Sequence, residues 1–333
     1  MKIKMPDYDI IINHHEMLHI AEHINSFYTY KEVFILTDEY VYANYKDKLS
    51  DWFETFDYKI VVVPQGEKSK SYDVYLDAIN KLIEKGIKRN HLLVALGGGV
   101  IGDLAGFIAS TLYRGIPFMQ IPTTLLAMVD SSIGGKVGID LDLGKNLIGS
   151  FYQPKKVIID PEFLNTLSTL EYNNGMAEMI KSGLIGDKEL YEYFKHHQKV
   201  TIDEIIKTIK VKQKVVLIDP YDKKERMFLN FGHSYGHAIE KKTNYEVYKH
   251  GQAISYGMLI ALEKGIELGI TPNYLYDEVK EMLLRIGLVE NPLLKASSYE
   301  DELKYDKKNM ADGYHFIFIE EVGKAVTKKI KLG

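Results

Sequence analysis

Five short apolar runs punctuate the first half of the chain: EVFILT (32–37), YKIVVV (58–63), HLLVAL (91–96), FMQIP (118–122) and KVIID (156–160). Such runs are too short for helices and too continuous for strands with one wet face, so they predict parallel strands buried on both faces. Between the second and third, SYDVYLDAINKLIEKG (71–86) places apolar residues at helical spacing and stops at a glycine. Strand–helix alternation of this kind predicts an open, mostly parallel α/β sheet. From about residue 163 the period changes. EYNNGMAEMIKSGLI, TIDEIIKTIKVKQKVVL, SYGHAIEKK, AISYGMLIALEKGIELGI and NYLYDEVKEMLLRIG all read as helices. The boundary falls near DPEFLNTL (160–167), which predicts an α/β domain over 1–162 and an all-α domain over 163–333. Ligands favour clefts between domains, so the active site is expected between the two.

Composition narrows the chemistry. At 333 residues the chain exceeds the usual size of one core, in keeping with two domains. A net charge of −4 gives no reason to expect nucleic acid or an anionic membrane as partner. The opening stretch MKIKMPDYDIIINHH breaks off after three isoleucines and predicts neither a signal peptide nor a spanning helix, so the cytoplasm is the expected compartment. With no cysteine in the sequence, any metal must be held by His, Asp or Glu.

VALGGGVIGDLAGF (94–107) reads as a strand, three glycines and a helix, with Gly97, Gly99 and Gly102 in G-x-G-x-x-G spacing. Glycines there let the main chain approach a pyrophosphate resting on free amides at the helix start, although a tight turn without a ligand has the same pattern. The first domain is therefore expected to be a Rossmann-like nucleotide binder. An acidic residue about 20 positions on is missing, and Asp38 at the end of the first long run is the substitute candidate for a ribose hydroxyl. PQGEKSK (64–70) puts Glu67 and Lys70 after another strand. IPTTLLAMVDSSIGGKVGIDLDLGKN (121–146) carries Asp130, Lys136, Lys145 and Asn146 in a glycine-rich segment suited to phosphate contact or to a solvated loop.

LNFGHSYGHAIEKKTNYEVYKHG (229–251) holds three histidines. His233 and His237 share a face of a helix starting near Gly232, and spacing alone makes both of them metal ligands. His250 lies far enough on to bend back, and Glu178 in GMAEMIKSG supplies a carboxylate, with Lys181 one turn later. Nitrogen and oxygen ligands with open positions suit a catalytic zinc. Lys212, Arg226 and Asn230 lie upstream, and Lys307 and Lys308 lie near YDKKNMADG.

Taken together, PQGEKSK, GGGVIGDLAGF, IPTTLLAMVDSSIGGK, GKNLIGSFYQP, AEMIKSGLI, LNFGHSYGHAIE, HGQAISYGM and DKKN resemble, in order and spacing, the 3-dehydroquinate synthase family among the sugar-phosphate cyclases. The resemblance covers nearly the whole chain. It implies a carbon–oxygen lyase of the shikimate pathway that uses NAD and Zn2+, with Co2+ able to stand in. The implied substrate is 3-deoxy-D-arabino-heptulosonate 7-phosphate, and the products are 3-dehydroquinate and phosphate. In that reaction the C5 hydroxyl is oxidised, the C6 proton becomes acidic and phosphate leaves. The ketone is then reduced again, the ring opens and an intramolecular aldol closes the carbocycle, so NAD ends unchanged.

By the same resemblance the zinc ligands fall on Glu178, His233 and His250, and His237 becomes a substrate contact near the phosphate. Further substrate contacts fall on Asp130, Lys136, Asn146, Lys181, Lys212, Arg226, Asn230 and Lys308 or its neighbour Lys307. Arg226 and Lys212 would hold the carboxylate, and Lys136, Asn146 and His237 the phosphate. NAD contacts fall on Asp38, Glu67, Lys70, Gly98, Gly99, Asp103, Thr123, Thr124, Lys136, Lys145, Phe163 and Thr166. Arg114 matches an arginine that reaches the neighbouring subunit's phosphate site, which implies a homodimer.

Two positions depart from the family's pattern. Tyr40 stands where Asn is frequent, two residues after the ribose aspartate, and Asp222 stands where a glutamate is common. Other readings are a sibling cyclase acting on a sugar phosphate without a carboxylate, a metal-dependent polyol dehydrogenase that releases NADH, and a binding protein without catalysis.

Overall fold

All five apolar runs become parallel strands of one sheet in the computed structural model, which describes residues 1–141, 144–222, 225–299, 301–303 and 314–330. In chain order the first unit contains β1 (Lys2–Lys4), β2 (Asp9–Ile12), α1 (Ile20–Asn25), β3 (Glu32–Asp38), α2 (Glu39–Trp52), β4 (Asp57–Val63), α3 (Tyr72–Glu84), β5 (Leu92–Gly97), α4 (Gly99–Thr111), β6 (Phe118–Pro122), β7 (Lys136–Leu141), β8 (Gly144–Phe151) and β9 (Lys156–Ile159). The sheet order is β1-β2-β9-β6-β5-β3-β4, with antiparallel pairing between β1 and β2 and parallel pairing elsewhere.

The order reverses between β3 and β5, so the glycine-rich turn after β5 stands at the switch point, where open α/β sheets bind ligands. Every residue of β5 is buried. The core combines Phe34, Leu36, Val61, Val63, Leu93 and Phe118 from the sheet with Ile101, Leu104 and Ile108 from α4. Gly102 lets α4 settle on the sheet, since a Cβ there would meet Gln120 Oε1 at 2.7 Å. The segment read as a glycine-rich loop forms an antiparallel ribbon instead, with β7 paired to β8.

The first unit spans Met1–Ser168 and the second Thr169–Gly333. Sequence reading set the division at 162/163. Residues beyond it stay with the first unit because the Phe163 ring is buried edge-on against Tyr45 at 5.0 Å and Trp52 at 5.9 Å.

The second unit is helical as expected: α5 (Thr169–Gly186), α6 (Lys188–His196), α7 (Ile202–Ile218), α8 (His233–Lys242), α9 (His250–Glu267) and α10 (Tyr274–Ile286). One correction to the all-α expectation is an antiparallel hairpin, β10 (Tyr314–Glu321) with β11 (Lys324–Ile330), whose FIFI stretch is buried against the helices. Helix α5 is buried over Asn174–Ile185 and packs on α6, α7 and α9. No helix among the described residues is long and apolar enough to cross a membrane.

Candidate active site

Three helices of the second unit bring Glu178, His233 and His250 together. Glu178 sits on the buried helix α5, and the histidines are the first residues of α8 and α9. Asn174, one turn before Glu178, accepts the backbone N–H of Gly251 through Oδ1, which ties the start of α9 to α5. Lys249 and Glu171 add an ion pair at 2.9 Å. Helix α8 starts at Gly232, whose left-handed φ of 78° suits only glycine without strain. There α8 presses against α9 so closely that a Cβ on Gly257 would lie 1.9 Å from Gly232 O. These two contacts set where His233 and His250 point.

The donor geometry fits a divalent ion. One ligand atom from each of the three residues lies within 4.8 Å of the other two. The Nε2 atoms of His233 and His250 both stand 3.5 Å from Glu178 Oε1. Bonds of about 2.1 Å at a tetrahedral centre separate ligand atoms by roughly 3.4 Å, so an ion fits between them with little movement. Glu178 Oε1 is buried and accepts no hydrogen bond, which is costly unless a cation completes it. The other oxygen, Oε2, pairs with Lys181 Nζ. The Nδ1 of His233 lies 3.2 Å from Phe231 O and must donate to it, which leaves the Nε2 lone pair toward Glu178.

Electrostatics agree with this arrangement. Burial opposes charge on Glu178, yet Lys181 and His250 beside it bring its carboxyl down to about 2. Burial, reinforced by the Lys181 charge, pushes His233 well below its ordinary value. His250 resists its own burial because Glu178 and Glu240 face it, and rises to about 9.

Spacing alone also made His237 a ligand. Its ring lies 5.4 Å from that of His233, but it is exposed and groups with Glu240 and His250 rather than with Glu178. Lys181, Lys212 and Arg226 are buried cations of the same unit, at 2%, 6% and 3% exposure. They lie on α5, on α7 and on the 3-10 segment Glu225–Asn230, elements that pack on one another. The backbone N–H of Arg226 donates to Asp219 Oδ2 at 3.2 Å, and Nη1 donates to Pro220 O at 2.8 Å. Asn230 is exposed, and Asp222 is half-buried with a left-handed φ of 57°. Lys307 and Lys308 lie outside the described residues.

In the first unit the expected nucleotide contacts follow the carboxyl ends of parallel strands. Lys70 Nζ is buried and reaches Asp103 Oδ2 at 2.8 Å, Asn146 Oδ1 at 2.5 Å and Glu67 Oε1 at 3.7 Å, and Lys145 meets the same Glu67 oxygen at 3.7 Å. Burial works against the Lys70 charge, but Asp103 and Glu67 outweigh it and raise its pKa, whereas burial pushes Asp103 up. Gly98 caps α4 and Gly99 opens it, and the N–H of Thr123 donates to Gly97 O at 3.0 Å, which joins the turn to the end of β6. Thr124 Oγ1 accepts the N–H of Ala127.

Asp38 caps α2 through Val41 N at 2.9 Å, and burial raises its carboxyl. Tyr40 uses its hydroxyl to donate to Thr166 O at 2.6 Å, while Tyr45 pairs with Thr166 Oγ1. The Phe163 ring is buried in the aromatic cluster, and its main-chain carbonyl accepts from Thr166 Oγ1 at 3.1 Å. Asp130 is half-buried in the Ala127–Ser131 turn, Lys136 is exposed on β7, and Arg114 is exposed at the end of a 3-10 turn.

Two residues escaped sequence reading. Asp140 accepts the N–H of Asn146 at 2.7 Å, supports that residue's left-handed φ of 55°, and lies 3.9 Å from Lys70 Nζ. Glu240 lies 3.5 Å from His250 Nδ1. Its place seven residues after His233 and three after His237 puts it on their helical face, a signal present in the sequence.

Comparisons with known proteins divide the chain inside α5, at 174/175. Residues 60–174 match the 3-dehydroquinate synthase N-terminal family model, and residues 175–309 match the C-terminal one. The 3-dehydroquinate synthase of Clostridium botulinum (strain Alaska E43 / Type E3) is 42% identical over 99% of this chain and 97% of its own length. Among solved structures, the 2-epi-5-epi-valiolone synthase ValA of Streptomyces hygroscopicus subsp. jinggangensis 5008, with NAD+ and Zn2+ bound, superposes with a TM-score of 0.88 at 23% identity, covering 99% of this chain and 94% of that one. A 2-deoxy-scyllo-inosose synthase with carbaglucose-6-phosphate, NAD+ and Co2+ gives 0.84 at 24% identity, covering 99% and 96%. At these identities the two structures establish the fold.

Proposed function

The chain belongs to the 3-dehydroquinate synthase family, and on that premise we propose that it converts 3-deoxy-D-arabino-heptulosonate 7-phosphate into 3-dehydroquinate and phosphate. The observation that carries this reading is the trio of buried Glu178 with half-buried His233 and His250, in which an oxygen of Glu178 without a hydrogen bond faces two imidazole nitrogens. When bound, NAD supplies reversible oxidation of a substrate hydroxyl, and a zinc or cobalt ion supplies the charge that polarises that oxygen.

Glu178, His233 and His250 would hold the ion. The pairing of Lys181 with Glu178 Oε2 keeps N–H donors beside the trio for a substrate oxygen. Arg226 offers a planar fork and Lys212 a point charge to the substrate carboxylate. Two cations at 3% and 6% exposure suit a substrate that carries a carboxylate as well as a phosphate, and the sugar phosphates of sibling cyclases lack that carboxylate. Lys136, Asn146 and His237 would bind the phosphate, with Asp130, Asn230 and Lys308 as further contacts. Glu67, Lys70, Asp103 and Lys145, with Thr123, Thr124 and the amides of Gly98 and Gly99, would seat the dinucleotide, with Asp38 at the ribose and Phe163 and Thr166 beside it. Tyr40, held on Thr166 O, would close that end where the family often has Asn. A homodimer in the cytoplasm completes the reading, with Arg114 reaching the partner's phosphate site.

Phosphate release from the heptulosonate substrate, followed with and without NAD and with and without a chelator, tests it. Release should need both, and 3-dehydroquinate should form without net NADH. Steady NADH accumulation with a polyol would replace the cyclase reading with a dehydrogenase. Turnover of a sugar phosphate lacking the carboxylate, in preference to the heptulosonate, would favour a sibling cyclase.

A further inference from the structure

His250 stands between two carboxylates. Its Nε2 faces Glu178 Oε1 and its Nδ1 faces Glu240 Oε1, each at 3.5 Å. Glu240 is 2% exposed, on the same helix that opens with His233. Helix α8 thus carries one nitrogen donor of the trio at its first residue and, two turns later, a carboxylate behind the other donor. The close packing of α8 on α9 holds Glu240 in place, because a Cβ on Gly236 would already touch the α9 backbone at Ile254, 3.0 Å away.

A neutral imidazole donates through one nitrogen and accepts through the other, so a partner at Nδ1 decides what Nε2 can do. A carboxylate at Nδ1 draws the proton there and frees the Nε2 lone pair for an ion. Phe231 O performs the same office for His233.

We propose that Glu240 is a positioning residue of the metal site: its carboxylate accepts Nδ1–H of His250, fixes that ring's tautomer and orientation, and makes Nε2 a better donor to the ion. This rests on the reading of Glu178, His233 and His250 as the ligand set. A competing arrangement exists, since His237, Glu240 and His250 also present donor atoms within 4.8 Å of one another, with Glu240 then a ligand itself. The buried oxygen that accepts no hydrogen bond belongs to Glu178, and neither Glu240 oxygen is among such atoms. That favours the ion on the Glu178 side.

The test compares the metal-free wild-type chain with Glu240→Gln. Zinc is titrated against a competing chromophoric chelator, and NAD affinity is measured in parallel. Loss of such an outer partner weakens metal binding roughly 10- to 100-fold, while NAD binding in the first unit stays unchanged. Zinc affinity within about threefold of wild type, or equal losses of zinc and NAD affinity, would overturn the proposal. A variant that does not fold leaves a second measurement on the wild-type chain, loaded with zinc and labelled with 15N at histidine. His250 should then show a protonated Nδ1 and a metal-bound Nε2, and metal on Nδ1 would make Glu240 a ligand and refute the positioning role. A wild-type chain that takes up no zinc would remove the metal reading along with this inference, a result separable from a defect confined to Glu240→Gln.

Discussion

Loading zinc into the metal-free protein should expel close to one proton, and that proton should come from His250. Of the three proposed ligands, Glu178 already sits at about 2 and is ionised at neutral pH, and His233 lies well below its ordinary value and is neutral. His250 alone is raised, to about 9, so at pH 7 it is about 99% protonated and must lose its proton for Nε2 to bind an ion. Zinc affinity should therefore rise about tenfold per pH unit below 9 and level off above it. The same shift acts on the metal-free fold. A pKa raised from 6.5 to about 9 contributes on the order of 3 kcal/mol. That contribution is fully present below pH 6.5 and is lost as pH rises through 9. Calorimetry of zinc binding in buffers of different ionisation enthalpy counts the released protons directly. The expected result is about one per zinc at pH 7, falling to about half near pH 9. Release of fewer than about 0.3 protons at pH 7 would refute the assignment of His250 as the protonated ligand.

Other consequences are open to measurement. Arg226→Ala should lower kcat/KM for the carboxylated substrate about 10- to 150-fold, from loss of charged hydrogen bonds worth about 1.5–3 kcal/mol; an effect below threefold would contradict the carboxylate role. Lys70→Met leaves half-buried Asp103 without its 2.8 Å partner and should cost about 1–3 kcal/mol in chemical denaturation while weakening NAD binding. Gly257→Ala places a methyl against Gly232 O, so α8 must shift. Stability should fall by about 1–3 kcal/mol and zinc affinity with it, whereas unchanged zinc binding would show that the α8–α9 contact does not position His233.

The parallel sheet was legible because its strands are continuous apolar runs that alternate with helical spacing. The ribbon of β7 and β8 was not legible. Most β8 side chains are exposed, so no alternation betrays a strand, and its glycines read as a loop. Hairpin β10–β11 hid for a different reason. FIFI carries the same continuous signal as the parallel strands, but it stands apart from any strand–helix alternation.

Within the site, an i, i+4 pair of histidines says that two residues share a helical face and not which neighbour that face meets. Here Gly232 and Asn174 decide the matter, bringing His233 and His250 to Glu178 and leaving His237 exposed. The choice of ligands came from family resemblance rather than from spacing. Asp140 could not be foreseen at all, since its role depends on the backbone turn at Asn146.

The central claim is that one divalent ion sits among Glu178, His233 and His250. Anomalous diffraction at the zinc edge from crystals of the zinc-loaded protein locates that ion without reference to activity. A single strong peak within bonding distance of Glu178 Oε1 and both Nε2 atoms is the predicted result. A peak on His237 and Glu240 instead, or none in this unit, would contradict the account.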